Sequence, residues 1–150
     1  MDDELLLKSI KKDCLRLLTR REYSRKEIEQ KLIAKDYQRE QFAAVLDELT
    51  KQSWQDDNRY AESYLNMRSQ KGFGPVKIAY ELRQQGVDKS TVDELIQSRT
   101  EDWVKQLRQL YVKKFASSAI NDNAERNKRI RFLSQRGFPS GMIYELLEKT

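Results

Sequence analysis

The chain contains no histidine and only one cysteine, Cys14, among its 150 residues. Acid–base catalysis and metal centres that depend on imidazole are therefore excluded. A single thiol can form neither an internal disulfide nor a thiolate zinc cluster, and it suits a reducing compartment. Because Cys14 falls within an apolar helical stripe, we interpret it as a small buried side chain rather than a reactive thiol.

Glycine, proline and long apolar segments are also scarce. The chain has 5 glycines and 2 prolines, too few for a turn-rich β-sandwich or a disordered linker. No segment approaches the roughly 18 apolar residues of a membrane span. The acidic start, MDDELLLKSI, is unlike the basic start of a secretory signal. We therefore predict a cytoplasmic protein without a membrane partner.

Catalytic signatures are missing as well. There is no P-loop, no dinucleotide-binding fingerprint and no nucleophile elbow. The adjacent carboxylates Asp56 and Asp57 are interpreted as a helix N-terminus, where anions are favoured. The glycines around Phe73 are interpreted as a turn before a helix that begins at Pro75. We predict a protein that is not an enzyme and that holds no cofactor and no metal.

The sequence does contain an apolar helical pattern that recurs three times. Its equivalent leucines, Leu32, Leu82 and Leu133, lie 50 and 51 residues apart, and the same positions after them are also apolar. Gly86 and Gly137 follow two of the copies as helix stops, and Asp36 occupies that position in the first. The pattern predicts an all-α fold of three tandem three-helix repeats in an elongated, curved array. The predicted repeats are residues 1–53, 54–99 and 100–150.

Two local features refine this prediction. Ser24 and Glu27 form a capping box that starts a helix. The last repeat departs from the pattern, because Arg129 stands where the middle repeat has Ile78. We expect Ile130 to supply the core contact instead. The polar segment 115–124 is the predicted loop before that helix.

Basic residues exceed acidic ones by 29 to 24, and most of the excess lies in the last third, with 10 basic and 6 acidic residues in 101–150. Such an imbalance favours a polyanion or an acidic protein surface as partner. The middle repeat also places aromatic rings among basic side chains. The predicted contact residues are Tyr60, Arg68, Lys71, Lys77, Arg126, Lys128, Arg129, Arg131 and Arg136.

Several motifs fit one known family. The middle repeat has WQDDNRYA at 54–61, followed by Tyr64, Arg68, Gly72, Ile78, Leu82 and Gly86-Val87. This combination resembles the central signature of the bacterial RecX regulatory proteins. Arg21 to Ser24, with Glu27 and Leu32, is similar to the first-repeat signature of that family. Phe132-Leu133 with Arg136 to Phe138 is similar to its C-terminal end.

The resemblance implies a function in DNA repair, homologous recombination and the SOS response. RecX proteins bind the RecA recombinase and lodge in the groove of the RecA–DNA filament, where they bridge neighbouring subunits. They lower strand exchange, coprotease activity and ATP hydrolysis, and they limit filament growth or favour filament disassembly. By resemblance, this chain is expected to inhibit RecA, and we expect it to act as a monomer.

The residues alone leave a second hypothesis open. The chain could be a stand-alone DNA-binding module that acts through its basic C-terminal unit. It would then bind single- or double-stranded DNA without a recombinase, and its affinity would fall steeply with salt.

Overall fold

A computed structural model describes residues 3–116 and 118–149. Over these residues the chain forms nine α-helices and no strand, which confirms the predicted all-α class. The helices are α1 (Asp3–Leu18), α2 (Arg25–Ala34), α3 (Arg39–Lys51), α4 (Asp57–Gln70), α5 (Pro75–Gln84), α6 (Lys89–Gln97), α7 (Thr100–Phe115), α8 (Asn123–Gln135) and α9 (Ser140–Lys149). The predicted loop separates α7 from α8, although its residue Ser117 lies outside the described residues.

The described residues form two compact units. The N-terminal unit runs to Ser63 and includes Gln84–Asp88, and the C-terminal unit comprises Tyr64–Arg83 and the residues from Lys89 onward. Two of the three divisions fall inside helices, α4 and α5, and the third falls at the start of α6. The predicted repeat boundaries at 53 and 99 follow the sequence pattern instead, and they remain a prediction.

The core of the N-terminal unit comes from the apolar faces of its first three helices. The Ser24 side chain accepts a hydrogen bond from the Glu27 N–H, and the Glu27 carboxylate accepts one from the Ser24 N–H, so the predicted capping box is confirmed. Each fully buried aliphatic side chain contributes about 1.5–3 kcal/mol through the hydrophobic effect. The core residues are Ile10, Cys14, Tyr23, Ile28, Leu32, Phe42, Val45, Leu46 and Leu49.

The end of the second helix has the same geometry in both units. The Tyr37 N–H donates to the Leu32 carbonyl at 3.1 Å, and the Phe138 N–H donates to the Leu133 carbonyl at 3.3 Å. In each case the preceding residue has positive φ, 69° at Asp36 and 100° at Gly137. This is the Schellman geometry that closes a helix. The predicted equivalence of Leu32 and Leu133 is thus confirmed in detail.

The third repeat differs from the prediction at its arginine. Arg129 is only 2% exposed and itself occupies the core position, while Ile130 is half-buried beside it. Ile130 does pack against the core, as expected, but it adds to Arg129 instead of replacing it. The Arg129 guanidinium donates to the Tyr111 hydroxyl at 2.8 Å, to Glu125 at 3.0 Å and to the Ser118 carbonyl at 3.1 Å. The hydrogen bond to Tyr111 outweighs desolvation and raises the pKa of Arg129 above its ordinary value. These partners allow a cation to occupy a core position.

Cys14 gives a direct test of this packing. Its side chain is completely buried, and that burial raises the pKa of the thiol to about 11. The reactive thiolate is therefore a negligible fraction at neutral pH. We expect no reaction with Ellman's reagent in the folded protein, and one thiol per chain in concentrated guanidinium chloride. Rapid labelling of the folded protein would contradict the predicted packing of α1.

Candidate functional site

The turn between α4 and α5 lies among basic side chains of the C-terminal unit. Gly72 has a φ of 90°, which an L side chain rarely adopts, and Pro75 is the first residue of α5, as predicted. Two main-chain hydrogen bonds join this turn to the end of α8. The Gly74 N–H donates to the Arg136 carbonyl at 2.7 Å, and the Val76 N–H donates to the Gly137 carbonyl at 2.8 Å.

This turn presents Phe73 to three basic side chains. The guanidinium carbon of Arg68 lies 3.8 Å from the ring centroid and that of Arg136 lies at 4.9 Å, while the Lys77 amine lies at 5.2 Å. All three are within the range of a cation–π interaction. Among the described residues, only Arg68 of these three has a carboxylate partner, since its guanidinium donates to both oxygens of Glu81 at 3.0 and 2.9 Å. We call these residues the Phe73 cluster.

A cleft of about 600 Å³ opens beside the Phe73 cluster. Four of its lining residues are cationic and none is acidic. Within the described part of the chain, the four cations form no ion pair. We call it the α7–α8 cleft, and its lining is Ser69, Gln70, Lys71, Gly72, Gln106, Gln109, Leu110, Lys113, Lys114, Phe132 and Arg136.

The outer surface of α5 carries apolar side chains that packing within the unit leaves exposed. Val76 and Tyr80 are each 56% exposed, and Arg83 is also exposed. Tyr80 lies four positions after Val76, and Arg83 lies three positions after Tyr80, so the three residues share one helix face. We call this the α5 face. Tyrosine and arginine are, with tryptophan, the residue types enriched among the residues that carry most of the binding energy at protein interfaces.

The structure brings some of the predicted contact residues together and separates others. Arg68, Lys77 and Arg136 meet at Phe73, and the Lys71 carbonyl accepts a hydrogen bond from Arg136 at 3.3 Å. Other predicted residues lie elsewhere on α8: Arg126 is 5.8 Å from the Tyr144 ring, and Lys128 and Arg131 are exposed. The four basic residues of α8 and its C-cap residue Arg136 therefore do not form one surface.

Two predicted contact residues are buried and require correction. Tyr60 is 3% exposed in the N-terminal unit, and Arg129 is 2% exposed in the C-terminal unit. A side chain that is enclosed by its own fold cannot present its polar group to a partner. Tyr60 and Arg129 are therefore not part of the candidate surface.

Other residues of the site were not predicted from the sequence. Lys113 and Lys114 line the cleft, and Val76 and Arg83 belong to the α5 face. The sequence did contain a signal for Lys113 and Lys114, because the α7 residues that line the cleft are spaced three or four positions apart and so share one helix face. They are Gln106, Gln109, Leu110, Lys113 and Lys114.

The acidic residues that precede α4 have structural roles. Asp56 accepts hydrogen bonds from the N–H groups of Asn58 and Arg59 at 2.7 and 3.2 Å, as an N-cap does. Asp57 accepts from the Arg25 N–H at 2.9 Å within the N-terminal unit. Across residues 3–116 and 118–149, no cluster of acidic, cysteine or histidine side chains has the arrangement of a metal site. No helix in the same residues is both long and apolar enough to span a membrane.

Comparison with protein families gives three consecutive matches. Residues 11–49 match the first three-helix domain of RecX, residues 56–96 the second and residues 100–147 the third. A regulatory protein RecX from Pseudomonas fluorescens is 38% identical over 141 residues, which are 94% of this chain and 91% of the relative. A regulatory protein RecX from Halorhodospira halophila is 34% identical over 135 residues, which are 90% of this chain and 84% of the relative.

Solved structures share the fold. The crystal structure of RecX from Lactobacillus salivarius superposes with a TM-score of 0.82 at 21% identity, over 96% of each chain. A second crystal structure, of a regulatory protein RecX, gives a TM-score of 0.84 at 25% identity, over 97% of this chain and 74% of the other. The three-helix organisation predicted from the sequence therefore agrees with both family and fold.

Proposed function

Because this chain belongs to the RecX family of regulatory proteins, we propose that it binds the RecA recombinase filament and inhibits it. The activities that it lowers are DNA-dependent ATP hydrolysis, strand exchange and coprotease activity. It acts as a monomer in the cytoplasm, within homologous recombination, DNA repair and the SOS response. The observation that carries the proposal is the α5 face, an exposed apolar and aromatic surface beside the basic Phe73 cluster.

The composition of this surface suits a protein partner. Tyr80 and Val76 offer apolar area that would be removed from water on binding. Of the two, Tyr80 is the residue type at which the binding energy of an interface is concentrated. Lys77 and Arg83 add positive charge beside them, and neither forms an ion pair with another described residue. Positive charge at the rim of an interface accelerates association with an acidic surface and selects against basic ones.

Inhibition then requires no chemistry from the chain itself. A ligand that binds one filament geometry more tightly than another shifts the filament toward the favoured geometry. A tenfold change in the ratio of the two filament geometries requires that the free energies of binding to them differ by about 1.4 kcal/mol. Because the filament repeats the same subunit, contacts made to two neighbouring subunits combine through their effective concentration. Modest contacts can therefore arrest ATP turnover.

The test is the rate of DNA-dependent ATP hydrolysis by the cognate RecA as this chain is added. We expect the rate to fall with concentration and to reach a plateau once the filament is saturated. At higher salt, more of this chain should be needed to reach the same inhibition, because part of the attraction is electrostatic. A rate that stays constant at every ratio of the two proteins would refute the proposal.

A further inference from the structure

The N-terminal unit has an apolar groove between its first and third helices that its own packing leaves open. The groove runs between residues 4–11 of α1 and residues 44–49 of α3, and its volume is about 220 Å³. We call it the α1–α3 groove, and we propose that it docks an amphipathic helix of a partner protein. The proposal goes beyond the proposed function and does not rest on it, because the groove and the α5 face lie in different units and share no residue.

The lining of the groove includes apolar side chains that remain partly open to solvent. Leu7 of α1 is 43% exposed, whereas Val45 and Leu49 of α3 belong to the core of the unit. Ala44, which is exposed, also lines the groove. Because its small side chain leaves a hole among larger ones, a leucine or phenylalanine of a third helix can enter there as a knob. An apolar groove of this kind is a usual binding site for an amphipathic helix.

The charges on the two walls of the groove determine which helix fits. Lys8 and Lys11 lie on the α1 wall, and Glu48 lies on the α3 wall. The Lys8 amine is 3.8 Å from the Glu4 carboxylate and so has a partner. Lys11 forms no ion pair with any residue that the structure describes, and neither does Glu48, which accepts only a hydrogen bond from the neutral Gln52 side chain at 3.2 Å. Lys11 can therefore bind an acidic residue of a docked helix, and Glu48 a basic one.

This arrangement selects a helix that has an apolar stripe, an acidic flank and a basic flank. Charged residues beside an apolar stripe determine partner choice in the same way in coiled coils. The α5 face of a second copy of this chain does not fit, because Lys77 and Arg83 accompany its apolar residues and would repel Lys11. The occupant of the groove is therefore a helix of a different protein.

The experiment measures binding of a fluorescent synthetic peptide to the full chain by anisotropy. The peptide has about 20 residues, enough to form a helix, with leucines at helical spacing, glutamates along one flank and lysines along the other. Ala44→Phe fills the hole in the groove and should weaken binding about tenfold, because a buried apolar side chain of the peptide loses its site. Ala43→Phe is the matched control, since Ala43 is exposed and adjacent on α3 but does not line the groove.

The Ala43→Phe variant should bind the peptide as the wild type does. Both variants should keep the wild-type melting temperature in circular dichroism, because both alanines are exposed. Equal affinity of the two variants for the peptide would overturn the proposal.

A second peptide tests the charge of the α1 wall. The wild type should bind the peptide with mixed flanks about fivefold more tightly than a peptide with lysines on both flanks. Lys11→Glu gives both walls an unpaired carboxylate and should reverse this preference. Lys12→Glu makes the same change of charge at an adjacent, exposed position outside the groove and should keep the wild-type preference. Equal changes in the two variants would contradict the proposal, because net charge alone would then explain them.

Sedimentation of the chain without peptide tests for a second copy in the groove. We expect a single species at every protein concentration. Self-association that Ala44→Phe abolishes and Ala43→Phe preserves would show that a second copy occupies the groove, and the proposal would be wrong. Because no recombinase is present in these experiments, none of their outcomes depends on the proposed function.

Discussion

Replacing Gly137 with alanine is expected to lower the free energy of unfolding by about 3 kcal/mol, because strain and steric overlap combine at this position. Gly137 has a φ of 100°, which L residues rarely adopt. A Cβ there would lie 2.4 Å from the Cβ of Lys77 and 2.8 Å from its backbone nitrogen. Neither atom belongs to a flexible side-chain end, so α5 would have to move away from the end of α8.

That movement would also disturb the two main-chain hydrogen bonds that Gly74 and Val76 donate to the end of α8. Urea denaturation followed by circular dichroism measures the effect, and the melting temperature should fall by roughly 10 °C. Gly141→Ala is the matched control, because nothing lies within 4 Å of its added Cβ and it lies inside α9. The control should be neutral or stabilising by up to about 1 kcal/mol. Equal stability of the two variants would contradict the close packing of Gly137 against α5.

Changing the α5 face is expected to raise the concentration needed for half-maximal inhibition of RecA about 100-fold. The variant is Tyr80→Ala with Arg83→Glu. Loss of an aromatic anchor costs about 2 kcal/mol or more at an interface, and reversal of a charge adds to that loss. Together they approach the roughly 2.8 kcal/mol that corresponds to a 100-fold change. ATP hydrolysis by RecA on single-stranded DNA is the assay.

The stability of this variant should equal that of the wild type, since both side chains are exposed. Tyr144→Ala with Arg108→Glu is the matched control. It removes the same residue types from exposed positions elsewhere in the C-terminal unit, on α9 and α7. The control should inhibit RecA as the wild type does. Similar losses for both variants would show that the α5 face has no special part in binding.

The repeated helices were predictable because their signals are local. The helices that carry Leu32, Leu82 and Leu133 are recognised from the helical spacing of their apolar residues and from the residue that closes each helix. The capping box at Ser24 and the start of α5 at Pro75 are likewise determined within a few residues. Even Asp36, which lacks the conformational freedom of glycine, adopts the left-handed conformation that its place in the repeat requires.

Arg129 shows why other features were not predictable. Its position in the pattern is apolar in the other two repeats, so the sequence predicts that Arg129 leaves the core. The hydroxyl of Tyr111 and the carbonyl of Ser118 are what retain it, and both lie on other segments. Only tertiary structure brings them to the guanidinium, where they replace the hydrogen bonds that water would make.

Some of the contact residues were predictable and others were not. Aromatic rings among basic side chains indicated Arg68, Lys71 and Lys77, and the charge excess of the last third indicated Arg136; the fold gathers these four at one turn. The charge excess could not exclude Arg129, whose charge is used internally, and Lys113 and Lys114 were overlooked because α7 also carries acids in its first turn. Periodicity and charge thus predict which helix carries a residue, whereas burial against other helices decides which residues reach a partner.

Sedimentation of RecA filaments on single-stranded DNA, formed with a slowly hydrolysed ATP analogue, tests the proposed function most directly. We predict that the chain enters the pellet in a saturable amount when RecA is present and stays in the supernatant when RecA is omitted. The Tyr80→Ala, Arg83→Glu variant should remain mostly in the supernatant. If the wild-type chain stays in the supernatant with filaments in excess, it does not bind the recombinase filament, and the proposed function is wrong.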